Sequence, residues 1–243
     1  LVMILLLKRE KPSLKIYLFG DDHQLLPVDS VQIKSFEADL YFEICGNNRM
    51  RLTKNMRSDD KMITVALDTY ENECIDRKIF SKPYKGKIIK HLCYSNRMRK
   101  DINNMRMEEE RPPNAKWIEY VVPPTKSADP EKTEKEPLPQ SIYCYEGLPI
   151  QCYVNDKKRE LFNGAVTNIK SINQDSFLTE DGKTFKLKDF HKYFVCAYAL
   201  TVHKAQGQSF NFKFAIHETN IMDKRLLYTA LTRATDLKNI VIK

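Results

Sequence analysis

The chain has 243 residues and a mass of 28.5 kDa, enough for about one to two domains. Because 42% of its residues are hydrophobic and 10% are aromatic, a chain disordered throughout is excluded. The net charge of +8 favours a polyanionic partner, nucleic acid first and an anionic membrane second, although a solvated lysine-rich surface would have the same charge.

The chain opens with an apolar run, and we predict the end of a buried helix over residues 1–9. The run is far shorter than the ~20 residues that cross a bilayer. Lys8 and Arg9 follow it rather than precede it, so the run also lacks the basic start of a signal peptide. We therefore expect no membrane partner. We also expect that a chain beginning inside an apolar run has been cut from something longer.

A short apolar stretch comes next, over Leu14–Phe19. A run that is apolar on both faces predicts a central strand of a parallel sheet covered on both sides. Such strands present ligand-binding groups at their carboxyl ends. Here the segment from Gly20 to Gln24 would lie at that edge.

The middle of the chain alternates between helical and extended patterns. Ser58, with Asp59 and Asp60, predicts the N-terminal cap of a helix that runs to about Glu73. The other predicted elements are a helix over 31–45, an extended segment over 48–54, a strand over 86–93 and a helix after Asn96. Residues 122–140 are rich in proline and charge, which predicts a linker or a mobile loop.

The pattern changes to short strands and turns over residues 141–189, with hairpin signals at Asn163-Gly164 and Asp181-Gly182. We predict a small β-barrel there. A buried strand over 193–200, a strand over 212–217, a helix over 224–234 and a strand over 240–242 complete the predicted elements. Strands and helices that alternate around one β-rich insert indicate an α/β protein.

Two absences limit the chemistry of this chain. None of its seven glycines completes a phosphate-binding loop, and its sequence contains no Asp-Glu pair. The six cysteines show no zinc spacing, so we expect no metal site in this chain. Free thiols suit a reducing intracellular compartment, the cytoplasm or the nucleus, better than a disulfide framework does.

Four motifs occur in a fixed order: FGDDHQLLPV (19–28), LTKNMRS (52–58), YALTVHKAQGQSF (198–210) and LLYTALTRA (226–234). They resemble motifs III, IV, V and VI of superfamily 1 helicases, in the Pif-type, RecD-like and Dda-like 5′→3′ branch. HLCYSN (91–96) resembles an intervening segment of that branch, and LFNGAV (161–166) resembles its small barrel of the Src-homology-three (SH3) type. The resemblance covers nearly the whole chain.

The resemblance implies an ATP site. Arg57 and Arg233 would be arginine fingers, a role that suits a planar, permanently charged guanidinium. Gln24 would sense the γ-phosphate or orient a water, because its amide both donates and accepts. The resemblance places four further residues at the nucleotide: Gly20, Asp21, Gln206 and Gly207. Asp21 would fix its loop or a second-shell magnesium water, although capping the turn is nearly as good an explanation.

The resemblance also implies a contact with single-stranded DNA at Thr201, His203 and Lys204, where a strand ends and a helix begins. Ser95 and Asn96 are weaker candidates for the same strand. We expect Tyr228 to pack at the domain interface. Trp117 and Tyr120 could stack on a base, but core packing is the better expectation for both.

The implied fold is a RecA-like parallel-sheet domain, the second motor domain, with an inserted SH3-like β-barrel and the tail of a first RecA-like domain. We expect that tail at 1–45, the second domain at 46–140 and 190–243, and the barrel at 141–189. A helicase of this type also needs motifs I and II, which this sequence lacks. The phosphate loop and the main Mg²⁺ ligands would therefore lie in an N-terminal motor half, in the same polypeptide or in a partner.

Two interpretations of function remain open. The chain is either part of an ATP-dependent DNA helicase, and then inactive alone, or a non-enzymatic module that binds single-stranded nucleic acid with steep salt dependence. An RNA helicase of the same superfamily is a third possibility, which the HKAQG form of motif V disfavours by resemblance. Apolar edges of the first domain's sheet would be exposed in the isolated chain, so we expect poor solubility.

Overall fold

The computed structural model describes residues 2–25, 39–46, 48–80, 84–121 and 139–243. The helices are α1 (Val2–Glu10), α2 (Asp39–Cys45), α3 (Asp60–Asn72), α4 (Asn96–Glu110), α5 (Phe190–Tyr193), α6 (Val202–Ala205) and α7 (Lys224–Leu231). The strands are β1 (Lys90–Cys93), β2 (Lys116–Ile118), β3 (Ile142–Cys144), β4 (Pro149–Cys152), β5 (Val166–Ile172), β6 (Ser176–Thr179), β7 (Thr184–Lys186), β8 (Phe194–Cys196), β9 (Ala199–Thr201), β10 (Phe214–Ile216) and β11 (Ile240–Ile242).

A parallel sheet with strand order β11-β10-β1-β9 forms the centre of the α/β part. All four residues of β1 are buried, as expected for a parallel strand covered on both faces. Leu92 and Phe214 pack with α3 and α7 in the larger apolar core, whereas Cys93 and Ala199 pack with Ile102 of α4. The predicted parallel-sheet domain is confirmed.

A second sheet is antiparallel, with order β7-β6-β5-β4-β8, and corresponds to the predicted barrel-like insert. Its core is aromatic: the rings of Phe177, Phe185, Phe190 and Phe194 contact one another. The short ribbon of β2 and β3 pairs Trp117 with Tyr143.

The buried run 193–200 is two strands rather than the one predicted. β8 pairs with β4 of the antiparallel sheet, whereas β9 pairs with β1 of the parallel sheet. Both halves are buried, so a continuous apolar pattern gives no signal for the break at Ala197 and Tyr198.

The predicted strand at Leu14–Phe19 is wrong in the structure. Residues 14–20 have no regular secondary structure, and Tyr17 and Phe19 are 74% and 86% exposed. A strand of a parallel sheet requires neighbouring strands, and no described residue pairs with this segment. The apolar side chains before Gly20 are therefore not covered by a neighbouring strand of the described residues.

Three smaller predictions also change. The helix at the start of the chain is confirmed, but it is not buried, since Met3 is 74% exposed. The cap of α3 is Asp59, whose side chain accepts from the Met62 amide, rather than Ser58. The last long helix is predicted over 224–234 but ends at Leu231, and a turn follows it.

All six cysteines are free, as predicted. No helix in the described part of the chain is long and apolar enough to cross a membrane. The linker predicted at 122–140 lies mostly outside the described residues, as do residues 26–28 of the first motif and residues 31–38 of the predicted helix.

Candidate functional site

Arg57 and Arg233, far apart in sequence, donate to the same backbone carbonyl. Nη2 of Arg57 lies 2.8 Å from the oxygen of Gln208, and Nη1 of Arg233 lies 3.1 Å from it. Arg57 also donates through Nε to the hydroxyl of Ser209 at 2.7 Å. The two guanidinium groups therefore meet at the loop that follows α6, which is the loop of motif V.

Arg233 is fully buried in the turn after α7, and not within the helix as predicted. Its Nε donates to the Thr229 carbonyl at 2.9 Å, and its Nη2 donates to the Thr232 hydroxyl at 3.1 Å. Burial, reinforced by the positive charge of Arg57, lowers the pKa of Arg233 to about 10. The group stays charged at neutral pH, in a place where a further negative charge would stabilise it.

Asp21 is the centre of the loop that follows residues 14–20. Its carboxylate accepts from the side-chain amide of Gln24 at 2.9 Å, from the backbone amide of His23 at 3.0 Å and from the hydroxyl of Tyr228 at 3.2 Å. Partial burial alone would raise the pKa of Asp21, but the hydrogen bonds, led by that of Gln24, hold it below its ordinary value. Asp21 thus holds the Gln24 side chain of its loop and also caps a backbone amide of the turn, so the structure shows contacts of both kinds.

The same loop docks on α7 and α3 through residues that the motifs did not single out. The His23 ring lies 4.7 Å from the Tyr70 ring and 5.3 Å from the Tyr228 ring, between centroids. Arg225 donates to the carbonyls of Asp22 and, at 3.1 Å, of Gln24. No local sequence signal predicts these contacts, because they join residues about two hundred positions apart or lie on an ordinary helix face.

Thr229 joins this loop to the arginine pair. Its hydroxyl accepts from the Leu25 amide at 3.2 Å, while its carbonyl accepts from Arg233. Asp21 also lies close enough to raise the pKa of Arg233, against the larger lowering by burial. The structure therefore brings Asp21, Gln24, Arg57 and Arg233 into one neighbourhood. Gly20 precedes them in an exposed position.

The loop of motif V has a left-handed glycine at its centre. Gly207 has φ +89°, a conformation that other residues rarely adopt, and Gln206 beside it is exposed. This turn directs the carbonyl of Gln208 towards the two arginines. A left-handed glycine is the reason that this segment can end α6 and supply an acceptor within two residues.

The residues expected to contact single-stranded DNA begin at the same segment. Thr201 caps α6, because its hydroxyl accepts from the Lys204 amide, and its side chain is nearly buried. His203 is exposed, and Lys204 donates to the side chain of Asn163 at 3.4 Å. Thr201 thus has a structural role, while Lys204 lies beside the Asn163-Gly164 turn of the antiparallel sheet.

Ser95 and Asn96 lie at the start of α4 and have protein partners. The Ser95 amide and hydroxyl donate to the carboxylate of Glu218 at 2.9 and 2.8 Å, and the Ser95 oxygen also accepts from the Met98 amide. The side chain of Asn96 accepts from Arg99 at 3.1 Å. The Glu218 carboxylate already accepts from the amides at this helix start. The side-chain partners found for Ser95 and Asn96 lie outside the motif V segment.

The aromatic residues differ from one another in environment. Tyr228 is buried at the junction of the loop and α7, where its ring contacts that of His23. Tyr120 is half-buried against the ring of His191. Trp117 is 55% exposed, so the expectation of core packing is wrong for it. Its strand carries Lys116 and Ile118 on the opposite face, which leaves Trp117 on the outer one.

Comparison with known proteins shows similarity to helicases over part of the chain. Residues 196–241 match the sequence model of the UvrD-like helicase C-terminal domain. The RecBCD enzyme subunit RecD of Buchnera aphidicola subsp. Schizaphis graminum is 35% identical over 104 residues, and that of subsp. Acyrthosiphon pisum is 34% identical over 105. The aligned part is 40% of this chain and 17% of each relative.

Solved structures of Pif1 helicases share the fold. Pif1 from Candida albicans superposes with a TM-score of 0.61 at 18% identity, covering 92% of this chain and 62% of that one. Bacteroides Pif1 in complex with ADP-AlF3 and ssDNA superposes with a TM-score of 0.59 at 21% identity, covering 93% and 61%. The domain match, the RecD relatives and the Pif1 fold make this chain similar to the carboxy-terminal part of superfamily 1 helicases of the Pif-type and RecD-like branch.

Proposed function

We propose that this chain works as the carboxy-terminal part of an ATP-dependent 5′→3′ DNA helicase. ATP would be hydrolysed in a cleft between two RecA-like domains, and the hydrolysis would drive movement along single-stranded DNA. In this proposal residues 1–45 are the tail of the first domain, 46–140 and 190–243 are the second domain, and 141–189 are the barrel insert. The phosphate loop belongs to an N-terminal motor half, and this chain alone is inactive.

The convergence of Arg57 and Arg233 on the Gln208 carbonyl carries the proposal. Two guanidinium groups at one acceptor repel each other, and each has more N–H donors than that acceptor can use. Arg57 is exposed, and no described residue accepts from its Nη1. Arg57 is therefore short of acceptors, whereas each guanidinium nitrogen of the buried Arg233 already donates, and neither group has a carboxylate partner among the described residues, which fits the phosphate groups of an ATP substrate.

The role of the pair follows from the charge of the reaction. Cleavage of the γ-phosphate develops negative charge on its oxygens, and donors already fixed in position stabilise that charge without reorganising. Arg233 is held by Thr229 and Thr232, so its fork is fixed before the substrate arrives. Gln24 is held by Asp21 and would sense the γ-phosphate from the side of the first domain.

Three neighbouring side chains of the first motif could offer ligand atoms to Mg²⁺. Asp21, Asp22 and His23 offer ligand atoms within 4.8 Å of one another. Mg²⁺ prefers oxygen ligands in an octahedron, whereas both oxygens of Asp21 already accept hydrogen bonds from Gln24, His23 and Tyr228. The group does not fit a primary magnesium site, which agrees with the proposal that the main ligands lie outside this chain.

Single-stranded DNA would cross the second domain at His203 and Lys204, with Thr201 holding the start of α6. A histidine ring and an ammonium group at the end of a strand suit a phosphodiester backbone. His203 is exposed at the surface, but the protein around its ring partly shields it from water and lowers its pKa, so the ring would be a neutral donor at pH 7. Gln206 and Gly207 lie in the chain between this segment and Gln208, whose carbonyl accepts from both arginines. This short connection would couple the two sites.

The decisive experiment uses a polypeptide in which a domain with a phosphate loop precedes this chain. Arg57→Ala should reduce its DNA-stimulated ATP hydrolysis by about 10³-fold or more, because an arginine finger is lost. Arg51→Ala, at an exposed arginine six positions earlier, is the matched control and should leave the rate near that of the wild type. Arg233→Lys is the second variant, since it keeps a charge in a buried position.

Wild-type hydrolysis by Arg57→Ala would refute the arginine assignment. An extended polypeptide that binds single-stranded DNA but hydrolyses no ATP would support the alternative, a non-enzymatic binding module.

A further inference from the structure

A cavity of about 460 Å³ lies between the last turns of α4 and the ribbon of β2 and β3. Trp117 and Tyr143 line it from the ribbon, while Asn104 and Met107 line it from the helix, and Gln140 lies at the start of β3. It shares no residue with the arginine pair or with the motif V segment. The site described above therefore does not explain it.

Trp117 and Tyr143 form a supported aromatic platform on this cavity. They are direct partners across the ribbon, with ring centroids 4.7 Å apart. The guanidinium of Arg111 lies 4.3 Å from the Tyr143 centroid on a cation–π contact. Tyr143 thus contacts both Arg111 and Trp117, and Trp117 presents a large exposed ring beside it.

Polar groups complete the cavity wall. The side-chain amide of Gln140 donates to that of Asn104 at 2.7 Å. This bond uses one N–H of Gln140, and among the described residues it leaves Oε1 of Gln140 and both N–H groups of Asn104 without a partner. Oε1 of Gln140 is shielded from solvent, and no described group donates to it. A planar ligand with a carbonyl on its edge would suit the exposed amide of Asn104.

The charge around the cavity does not oppose a polyanion. Glu108 is neutralised by Nε of Arg111 at 2.7 Å. Lys116, next to Trp117 in the strand, is held by the carbonyls of Asn173 and Gln174 at 2.6 and 2.7 Å. Arg111 is therefore the cation at the aromatic platform, because Lys116 lies on the opposite face of the strand, and its pairing with Glu108 leaves no unpaired carboxylate among the lining residues to repel the phosphate backbone of a stacked base.

We infer that the Trp117 cavity is a second contact for single-stranded DNA, where one unstacked base lies on Trp117 with its edge towards Asn104 and Gln140. The inference deepens the proposed function and rests on it, because it takes the same strand as the ligand. Stacking on an aromatic face tolerates every base, as a translocating protein requires. The contact would lie outside all the motif residues.

Trp117 is the only tryptophan of the chain, which provides a direct signal. The full chain is titrated with fluorescein-labelled oligodeoxythymidine, following both the anisotropy of the label and the emission of Trp117. We expect the emission to be quenched in parallel with the rise in anisotropy. Trp117→Ala should weaken binding by about 5- to 100-fold, and Trp117→Phe should weaken it less.

Met105→Ala is the matched control, since Met105 is a large side chain of the same helix, 49% exposed and outside the cavity wall. Tyr143→Ala, which removes the support, should weaken binding as Trp117→Ala does. Binding by anisotropy with unchanged Trp117 emission and unchanged affinity in Trp117→Ala would overturn the inference and leave the proposed function standing. The absence of any binding would overturn both.

Discussion

Asp21 shows how one residue links two parts of the chain. Its carboxylate accepts from Gln24 and His23 of its own loop and from Tyr228 of α7, more than two hundred positions later. Hydrogen bonds to a charged acceptor are stronger than those between neutral groups. The bond from Tyr228 therefore joins the loop of the first motif to the helix of the last one, independently of any ligand.

This bond leads to a stability prediction. Tyr228→Phe removes the donor, and we expect a loss of about 1 kcal/mol in the free energy of unfolding at neutral pH, since the carboxylate is partly exposed. The pKa of Asp21 is lowered in the folded chain, so its stabilising contribution is present above its unfolded pKa and disappears as pH falls through the folded value. Urea unfolding at neutral and at acid pH measures both.

Tyr70→Phe is the control for this variant. Tyr70 contacts the His23 ring edge-on, and the variant keeps that contact. Its effect on unfolding should be smaller at neutral pH and should not change with the protonation of Asp21. Equal effects of the two variants at every pH would contradict the assigned bond.

At the scale of elements, neighbouring strands of the parallel sheet place two histidines together. His91 lies on β1 and His217 directly follows β10, with Nδ1 of His91 3.0 Å from Nε2 of His217. Burial lowers the pKa of His91 to about 3, with further lowering from His217, Arg106, Lys90 and Lys243. The pKa of His217 is also lowered, mainly by burial and then by Lys243, against an opposing effect of Glu218.

The sheet should consequently lose stability in mild acid. Both histidines are neutral in the folded and unfolded states above about pH 6.5, whereas below it the unfolded chain takes up protons that the folded chain excludes. We expect His91 alone to cost about 2 kcal/mol between about pH 7 and about pH 5. Urea unfolding at the two pH values measures the loss.

His91→Gln provides the comparison, because glutamine does not titrate. Its stability should fall less than that of the wild type over the same pH interval. Parallel losses in the two proteins would show that His91 does not exclude protons in the folded state.

The sequence predicted elements well where burial alone defines them. The strands at 90–93, 214–216 and 240–242 lie within predicted ones, because short apolar runs with β-branched or aromatic members have few alternatives in a covered sheet. Leu14–Phe19 has the same pattern but no strand pairs with it among the described residues. An apolar pattern reports which residues avoid water, and it does not report which strand is the neighbour.

At the scale of the molecule, the exposed apolar side chains are unevenly distributed. Several cluster early in the chain, where Leu14, Tyr17, Leu18 and Phe19 are all exposed. Contiguous exposed apolar surface favours association. We expect Tyr17→Ser with Phe19→Ser to reduce the aggregation of this chain, measured by static light scattering during heating.

A matched change elsewhere tests whether the cluster is the cause. Ile221 is 54% exposed and lies near the other end of the chain. Ile221→Ser should leave the scattering unchanged, and an equal reduction by both variants would refute a role for the early cluster.

The candidate site could be predicted only in part. The motifs indicated Arg57 and Arg233, and the fold brings both to one carbonyl. The docking of His23 between Tyr70 and Tyr228, and the capture of the Ser95 amide by Glu218, depend on contacts between distant segments. A single sequence contains no signal for such pairs, because each residue alone is an ordinary surface or helix residue.

The junction between β8 and β9 limits how the two sheets can move. Only Ala197 and Tyr198 separate the strands, and both are fixed: the Ala197 amide donates to Pro149 at 2.9 Å, and the Tyr198 carbonyl accepts from His91 at 2.9 Å. The hydroxyl groups of Tyr198 and Tyr145 also lie 2.9 Å apart. A two-residue connection that is held in this way is stiff and cannot act as a hinge. A force that displaces the antiparallel sheet would therefore also displace Thr201, five residues after Cys196, instead of bending the junction.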